Sequence, residues 1–248
     1  MKRLDQIINL VSSEKKIDVN TLSEKLQVSK VTIRKDLDKL ESKGLLHREH
    51  GYAVLNNGDN LNIRLTHKYS IKKSIAEHAV SLVDDNETVM IESGSTCALL
   101  AEAICRKKTN VKIITNSCFI ANYIRQFSTC QVILLGGIYQ SNSEVTVGPL
   151  LKEMLKLFHV RTLFVGTDGF DDEHGFMGVD MMRCEVVQYM YNSCDRLVVL
   201  TDSSKFTKRS LVHQFSFAEV SKVITDKDVP SEKKDLLALN NVDVMLID

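Results

Sequence analysis

Ser29-Lys30-Val31-Thr32-Ile33-Arg34-Lys35-Asp36-Leu37 decides how the N-terminal part of the chain is read. Ser29 is a natural helix cap, because its hydroxyl oxygen can accept from the unsatisfied amides of a first turn. Ile33, Leu37 and Leu40 then recur at i, i+4 and i+7, one apolar stripe on a helix that stops at Gly44. Turning about 100° per residue with that stripe inward places Val31, Lys35 and Asp38 outward, with Thr32 and Arg34 on the flanks. Lys30, Arg34 and Lys35 put three positive charges and no acid between Ser29 and Lys35. Such a charge suits a helix that approaches a phosphate backbone.

Working upstream, Leu4, Ile7, Ile8 and Val11 mark a first amphipathic helix, followed by a polar break from Ser12 to Asp18. Asn20 is expected to cap a short second helix that turns Leu22 and Leu26 inward. Downstream, Leu45-Leu46-His47-Arg48 and Tyr52-Ala53-Val54-Leu55 read as two strands joined through Glu49-His50-Gly51. Three helices and a hairpin make a winged helix-turn-helix, in which the second helix braces the third and the third enters the major groove. The expected DNA-facing set is Ser29, Lys30, Val31, Thr32, Arg34 and Lys35 on the helix, with Arg48, His50 and Tyr52 in the wing. Lys30, Val31 and Thr32 are placed for base edges, and Arg34 or Lys35 for a guanine or a phosphate. Asp38 is expected to face solvent or pair with Arg34. Periodicity alone also suits a small helical protein-interaction module.

Asn56-Asn57-Gly58-Asp59-Asn60 is the best linker candidate, and a helix is expected from Ile71 to Leu82. Beyond it, apolar strands alternate with helices: Thr88–Ile91, Val111–Thr115, Val132–Leu135, Thr162–Val165, Leu197–Leu200, Val223–Thr225 and Val242–Ile247. Several are apolar on both faces, as parallel strands covered by helices are. The expected fold is α/β, a small winged helix-turn-helix (1–56) joined by a linker (57–74) to a larger α/β domain (75–248).

Four loops at strand ends carry small, anion-friendly residues: Glu92-Ser93-Gly94-Ser95-Thr96, Thr115-Asn116-Ser117, Leu135-Gly136-Gly137 and Gly166-Thr167-Asp168-Gly169. A fifth segment, Thr201 to Phe206, adds Lys205 beyond a strand. Glycine lets a backbone approach an anion, hydroxyls donate, and a helix N-terminus offers free N–H groups. Loops at the carboxyl ends of parallel strands converge on one crevice. Each has an ordinary structural alternative: a helix cap, a tight turn, a solvated lysine.

At 248 residues, with 44% hydrophobic and 26% charged residues, the chain can bury a normal core. No apolar run approaches the roughly 20 residues that cross a bilayer, and the N-terminus lacks the pattern of a secretory signal. A cytoplasmic protein without membrane association is expected. The six cysteines include no C-x-x-C pair and do not cluster with histidine, so reduced, mostly buried thiols and no metal or cofactor are expected.

Arg3-x3-Ile7-x3-Val11, then seventeen residues, then Ser29-x2-Thr32-Ile33-Arg34-Lys35-Asp36-Leu37 resembles the signature of the deoxyribonucleoside-regulator (DeoR) family of bacterial repressors. His50-Gly51-Tyr52-Ala53 resembles its wing, with Tyr52 where a second glycine is usual. The five later segments resemble, in order and spacing, the family's sensor domain, which is similar to ribose-5-phosphate isomerase (the ISOCOT type). The resemblance implies a repressor of a carbohydrate operon that binds double-stranded operator DNA and a phosphorylated sugar. It implies Gly94, Ser95 and Thr96 around the phosphate, Asn116 and Ser117 beside it, Asp168 and Gly169 at the polyol, and Lys205 as a fixed charge; Glu92, Gly136 and Gly137 complete the expected effector-binding set. Glu92 stands where Asp is common, and Phe176-Met177-Gly178-Val179 replaces a Leu-Thr-Thr stretch. One short reading head offers limited affinity, so a homodimer or homotetramer is expected. The rival is an isomerase-like enzyme with a DNA-binding arm, using Asp168 with Asp171 or Asp172 for proton transfer.

Overall fold

The computed structural model describes residues 3–42, 44–54 and 61–248. The chain forms two compact units that divide between Ser70 and Ile71. The expected linker 56–60 lies outside the described residues.

In the first unit, α1 (Arg3–Glu14) leads into a short β1 (Lys16–Asp18), then α2 (Val19–Leu26) and α3 (Lys30–Ser42). β2 (His47–Glu49) and β3 (Tyr52–Val54) form the hairpin, and α4 (Leu61–Thr66) follows. The cap of α2 is Asp18, two residues before the expected Asn20, and its carboxylate accepts from the Asn20 and Thr21 amides. The polar break holds a third wing strand: β1 pairs antiparallel with β3, giving the order β1-β3-β2. Ile7, Ile8, Val11, Leu22, Ile33, Leu37 and Leu40 are buried with Leu45 and Ala53. Each fully buried Ile or Leu contributes about 1.5–3 kcal/mol. Leu26 is only half-buried. Leu61 and Leu65 of α4 are buried and the helix packs on α1, so this part of the stretch expected as linker belongs to the first unit.

α5 (Tyr69–Ala79) starts two residues before the expected helix and continues as a 3-10 turn to Leu82. The second unit then runs β4 (Thr88–Ile91), α6 (Ser95–Lys107), β5 (Val111–Thr115), α7 (Cys118–Tyr123), β6 (Cys130–Leu134), β7 (Ile138–Gln140), β8 (Val145–Val147), α8 (Pro149–Leu155) and β9 (Val160–Val165). It continues with β10 (Gly169–Asp171), β11 (Gly175–Gly178), α9 (Met181–Tyr191), β12 (Cys194–Leu200), β13 (Val212–Phe215), β14 (Lys222–Asp226), α10 (Ser231–Leu239) and β15 (Asp243–Ile247). All seven expected strands join one sheet of order β15-β14-β12-β9-β4-β5-β6, parallel throughout. The inner strands are buried along most of their length, as strands covered by helices on both faces are, while the edge strands β6 and β15 are mostly half-buried or exposed. β7-β8 and β10-β11-β13 form two small antiparallel additions. β4 begins the sheet at its middle; β5 and β6 extend it one way, β9, β12, β14 and β15 the other. The switch point therefore lies between β4 and β9.

Candidate functional site

The first unit presents one face of α3. The Ser29 hydroxyl accepts from the Thr32 amide at 3.2 Å and shares a hydrogen bond with the Thr32 hydroxyl at 2.9 Å, so the start of the helix is capped as its sequence predicts. Lys30, Val31, Arg34 and Lys35 are exposed, Val31 to 59%, and Thr32 is half-buried. Among the described residues no ion pair engages Lys30, Arg34 or Lys35, so their charge faces solvent. Asp36 faces inward, and its carboxylate takes the Arg3 guanidinium at 2.5 Å, which holds Arg3 above its ordinary pKa. Two residues of the spaced signature thus tie α1 to α3.

In the wing, His50 (φ 47°) and Gly51 (φ 87°) both take positive φ. That is the backbone of a two-residue turn matched to strand twist. The His50 side chain is 91% exposed, and Tyr52 is exposed with the Lys16 ammonium 4.7 Å from its ring centroid. Asp38 pairs with Arg48 at 2.7 Å rather than with Arg34, because the hairpin folds back on α3. Arg48 also meets Glu41 at 2.8 Å.

In the second unit, the parallel strands carry the five expected loops to one rim of the sheet, in the order 205, 168, 92–96, 116–117, 136–137. At about 4.8 Å per strand the outer two stand about 19 Å apart, so the loops around the switch point form the compact centre. There the buried Glu92 carboxylate ties two strands together. One oxygen accepts from the Gly94 amide at 2.8 Å and the Gly166 amide at 3.2 Å, and the other from the Ser93 hydroxyl at 2.6 Å. A Cβ at Gly94 would lie 3.3 Å from the Gly166 Cα, so the two backbones approach closely and a side chain there would have to push them apart by a few tenths of an ångström. Gly94 caps α6 with no side chain bonded to the helix N-terminus, and Ser95 and Thr96 open the helix, buried.

The neighbouring residues serve the fold as well as the rim. The Ser117 hydroxyl caps α7 by accepting from the Ile120 amide at 3.1 Å. Asn116 donates to the Thr146 carbonyl at 3.1 Å, while its Oδ1 is buried with no hydrogen-bond partner. The Gly136 amide lies 3.2 Å from the Met154 sulfur, and a Cβ at Gly137 (φ 153°) would stand 2.5 Å from the Val147 carbonyl. Asp168 is half-buried and accepts from the Val179 amide at 3.3 Å. A Cβ at Gly169 would overlap the Lys208 carbonyl. Lys205 is half-buried in the 3-10 turn Ser203–Lys205, capped by Asp202. Phe176, part of the departure from the family pattern, is fully buried against Phe170.

Gln214 was not predictable from sequence. Phe176 pairs with Phe215 and Met177 with His213, so Gln214 is the extra residue of a bulge. Bulges re-aim side chains, and this one sends the Gln214 carboxamide to the Gly166 carbonyl at 3.2 Å, leaving its Oε1 buried and unpartnered. Gly166 is thereby held at its amide by Glu92 and at its carbonyl by Gln214. Nearby, burial pushes the Cys184 thiol up to about 11, with the Asp168 and Glu92 charges adding, so it is no nucleophile near neutral pH. The thiols are less uniformly buried than expected: Cys97, Cys105 and Cys184 are buried, and Cys118, Cys130 and Cys194 only partly. Among the described residues no group of three or more His, Cys, Asp or Glu is placed to hold a metal, and no helix is long and apolar enough to cross a membrane.

Asp171 and Asp172 are engaged elsewhere. Asp171 accepts from the His174 ring at 2.8 Å and from the amides of Glu173 and His174, and it pairs with Arg209 at 2.7 Å. The His174 bond, helped by those amides and by Arg209, lowers its carboxyl to about 2. Asp172 takes the Lys233 ammonium at 2.6 Å.

A family model described as a DeoR-like helix-turn-helix domain matches residues 3–58, and one described as the DeoR C terminal sensor domain matches residues 67–227. The chain is 30% identical to the HTH-type transcriptional regulator GolR of Listeria innocua, over 92% of this chain and 91% of that protein. It is 29% identical to a protein of Escherichia coli described as a candidate aga operon transcriptional repressor, over 99% and 93%. It is also 29% identical to an L-fucose operon activator of Haemophilus influenzae, over 92% of each. Among solved structures, ribose 5-phosphate isomerase A from Neisseria gonorrhoeae aligns at 18% identity and a TM-score of 0.41, covering 56% of this chain and 53% of that one.

Proposed function

The chain belongs to the DeoR family of DNA-binding transcriptional regulators, and from that premise we infer that it represses a carbohydrate-metabolism operon in the cytoplasm until a phosphorylated sugar binds. Ser29 to Thr32 with Arg34 and Lys35 would meet operator DNA in the major groove, and His50 and Tyr52 would reach the adjoining backbone or minor groove. Two heads in a homodimer or homotetramer would read repeated half-sites.

The observation that carries the sensor reading is the switch point itself. Glu92 holds Gly94 and Gly166 together beneath a helix N-terminus that no side chain caps. Backbone amides and a favourable helix dipole there suit an anion, with Ser95 and Thr96 at the phosphate and Asp168 on the polyol side. Glu92 has its acceptors spent on the protein, so its role in this reading is to shape the cradle. The rival isomerase reading needs a carboxylate free to act as base. Asp171 is held by the His174 ring, two loop amides and Arg209, and Asp172 by Lys233, so neither partner which that reading gives Asp168 stands free to move a proton.

Effector binding would act on operator affinity by linkage, with α5 carrying the chain from one unit into the next. A melting-temperature screen with inorganic phosphate and a panel of pentose, hexose and ketose phosphates tests this. A ligand at a hundred times its Kd stabilises by about 2.7 kcal/mol. At least one sugar phosphate should raise the melting temperature, and Ser95→Ala with Thr96→Ala should abolish the rise. A panel with no stabilising member contradicts the effector class. A reporter fused to the regulated promoter tests the sign of regulation, since one relative carries the name of an activator.

A further inference from the structure

The wing holds one arginine, Arg48, at the middle of β2. Sequence reasoning sends it to a phosphate; the geometry points to another use, and we propose that Arg48 is a positioning residue that locks the wing onto the recognition helix. Both oxygens of Glu41 are taken by this one residue. Oε1 accepts from the Arg48 backbone amide at 2.9 Å and Oε2 from its Nε at 2.8 Å. The Asp38 carboxylate takes Nη1 at 2.7 Å. Asp38 and Glu41 are three apart on α3 and so share a face.

β2 is an edge strand of the order β1-β3-β2. An edge strand leaves outward amides in need of acceptors. Opposite Ala53 the Arg48 amide points away from β3, and Glu41 satisfies it. The same carboxylate therefore fixes the strand by its backbone and the side chain by its guanidinium. Two acids around one guanidinium leave a local charge of minus one, which offers a DNA phosphate no attraction. Delivering Arg48 to a phosphate would first break charge-assisted bonds to both acids. The clamp instead sets the angle at which the hairpin leaves α3, and so where the His50-Gly51 tip stands relative to Lys30 and Lys35.

The test uses the full chain and two duplexes, one selected from a random library by the wild-type protein and one of unrelated sequence, each titrated across salt concentrations. A phosphate contact contributes about 0.9 to the slope of log K against log salt. Arg48→Gln should weaken binding to the selected duplex about fivefold, the scale of a surface ion-pair network, while leaving the slope unchanged. Glu41→Gln removes a negative charge near DNA, yet it should weaken selected binding as well. Arg48→Lys keeps the charge but loses the planar fork, and should behave like Arg48→Gln. A slope lower by about 0.9 in Arg48→Gln would overturn the assignment. So would tighter binding by Glu41→Gln, or wild-type affinity in Arg48→Lys. Should Arg48→Gln lower the melting temperature, Glu41→Gln and Arg48→Lys still decide the matter.

Discussion

The exposed face of α3 and the switch point between β4 and β9 handle polar groups in opposite ways. On α3, Lys30, Arg34 and Lys35 stand exposed with no ion pair among the described residues, and Val31 lies bare between them. At the switch point and in the β5 loop beside it, Glu92, Ser95, Thr96, Asn116 and Ser117 are all buried, and Glu92 and Ser117 are already bonded to backbone amides. A surface that meets a large charged partner keeps its cations unspent, because the partner supplies the counter-charge. The proposed cradle for a small anion would have to stand ready-made, and there Glu92 and Ser117 serve the backbone. Substitutions should therefore separate the regions: at Glu92 they cost stability before they cost recognition, and on α3 the reverse.

The largest effect expected is at Glu92. Glu92→Ala leaves the Gly94 and Gly166 amides and the Ser93 hydroxyl without their acceptor. Stranded buried donors cost about 1–3 kcal/mol each, so urea unfolding should show a loss of about 3 kcal/mol or more; an unmoved midpoint would erase the contrast. Next comes specificity on α3. Exchanging Lys30 and Val31 for other exposed residues should redirect selection from a random duplex library, at about 1–3 kcal/mol per base contact, and an unchanged consensus would place the readout elsewhere. Lys35→Ala should be smaller: stability within about 0.5 kcal/mol, and a salt slope lower by about 0.9 if Lys35 holds one phosphate.

The smallest effect belongs to the Asp171 loop, outside both regions. Its carboxyl is held at about 2, below the unfolded value of about 3.9. The stabilisation is fully present above the unfolded value and lost as pH falls from about 4 through 2. His174→Ala removes the largest cause of the shift, so the Asp171 carboxyl titration, followed by NMR, should move upward. A titration that stays near 2 would show that Arg209 and the loop amides suffice.

Much of this architecture is written in the sequence, and the exceptions have physical reasons. The seven sheet strands are legible as short runs rich in apolar residues, and in inner strands such as Val111–Thr115 burial on both faces is the reason. The strands β10, β11 and β13 are not, being three or four residues long with no alternation to read, and β1 hides in a polar stretch. The cap on α3 is legible from Ser29, yet at α2 Asp18 takes the role assigned to Asn20, since both residue types can serve. The same ambiguity runs through the rim loops, where Ser117 caps a helix with the hydroxyl that could equally have met a ligand. Gln214 depends on a register shift between β11 and β13, and no local pattern encodes that. Arg48 is legible as a cation but not as a bound one, because Asp38 and Glu41 reach it only once the hairpin has folded back.

The central claim, that one unit reads DNA and the other reports a phosphorylated sugar to it, is tested most directly by reciprocity. The sugar phosphate that most raises the melting temperature is titrated into the free chain and into the chain saturated with its selected duplex, and duplex affinity is measured with and without that sugar phosphate. A shift of the same factor is expected in both directions, about a hundredfold for a coupling of about 3 kcal/mol. Equal sugar-phosphate affinity with and without the duplex would contradict it.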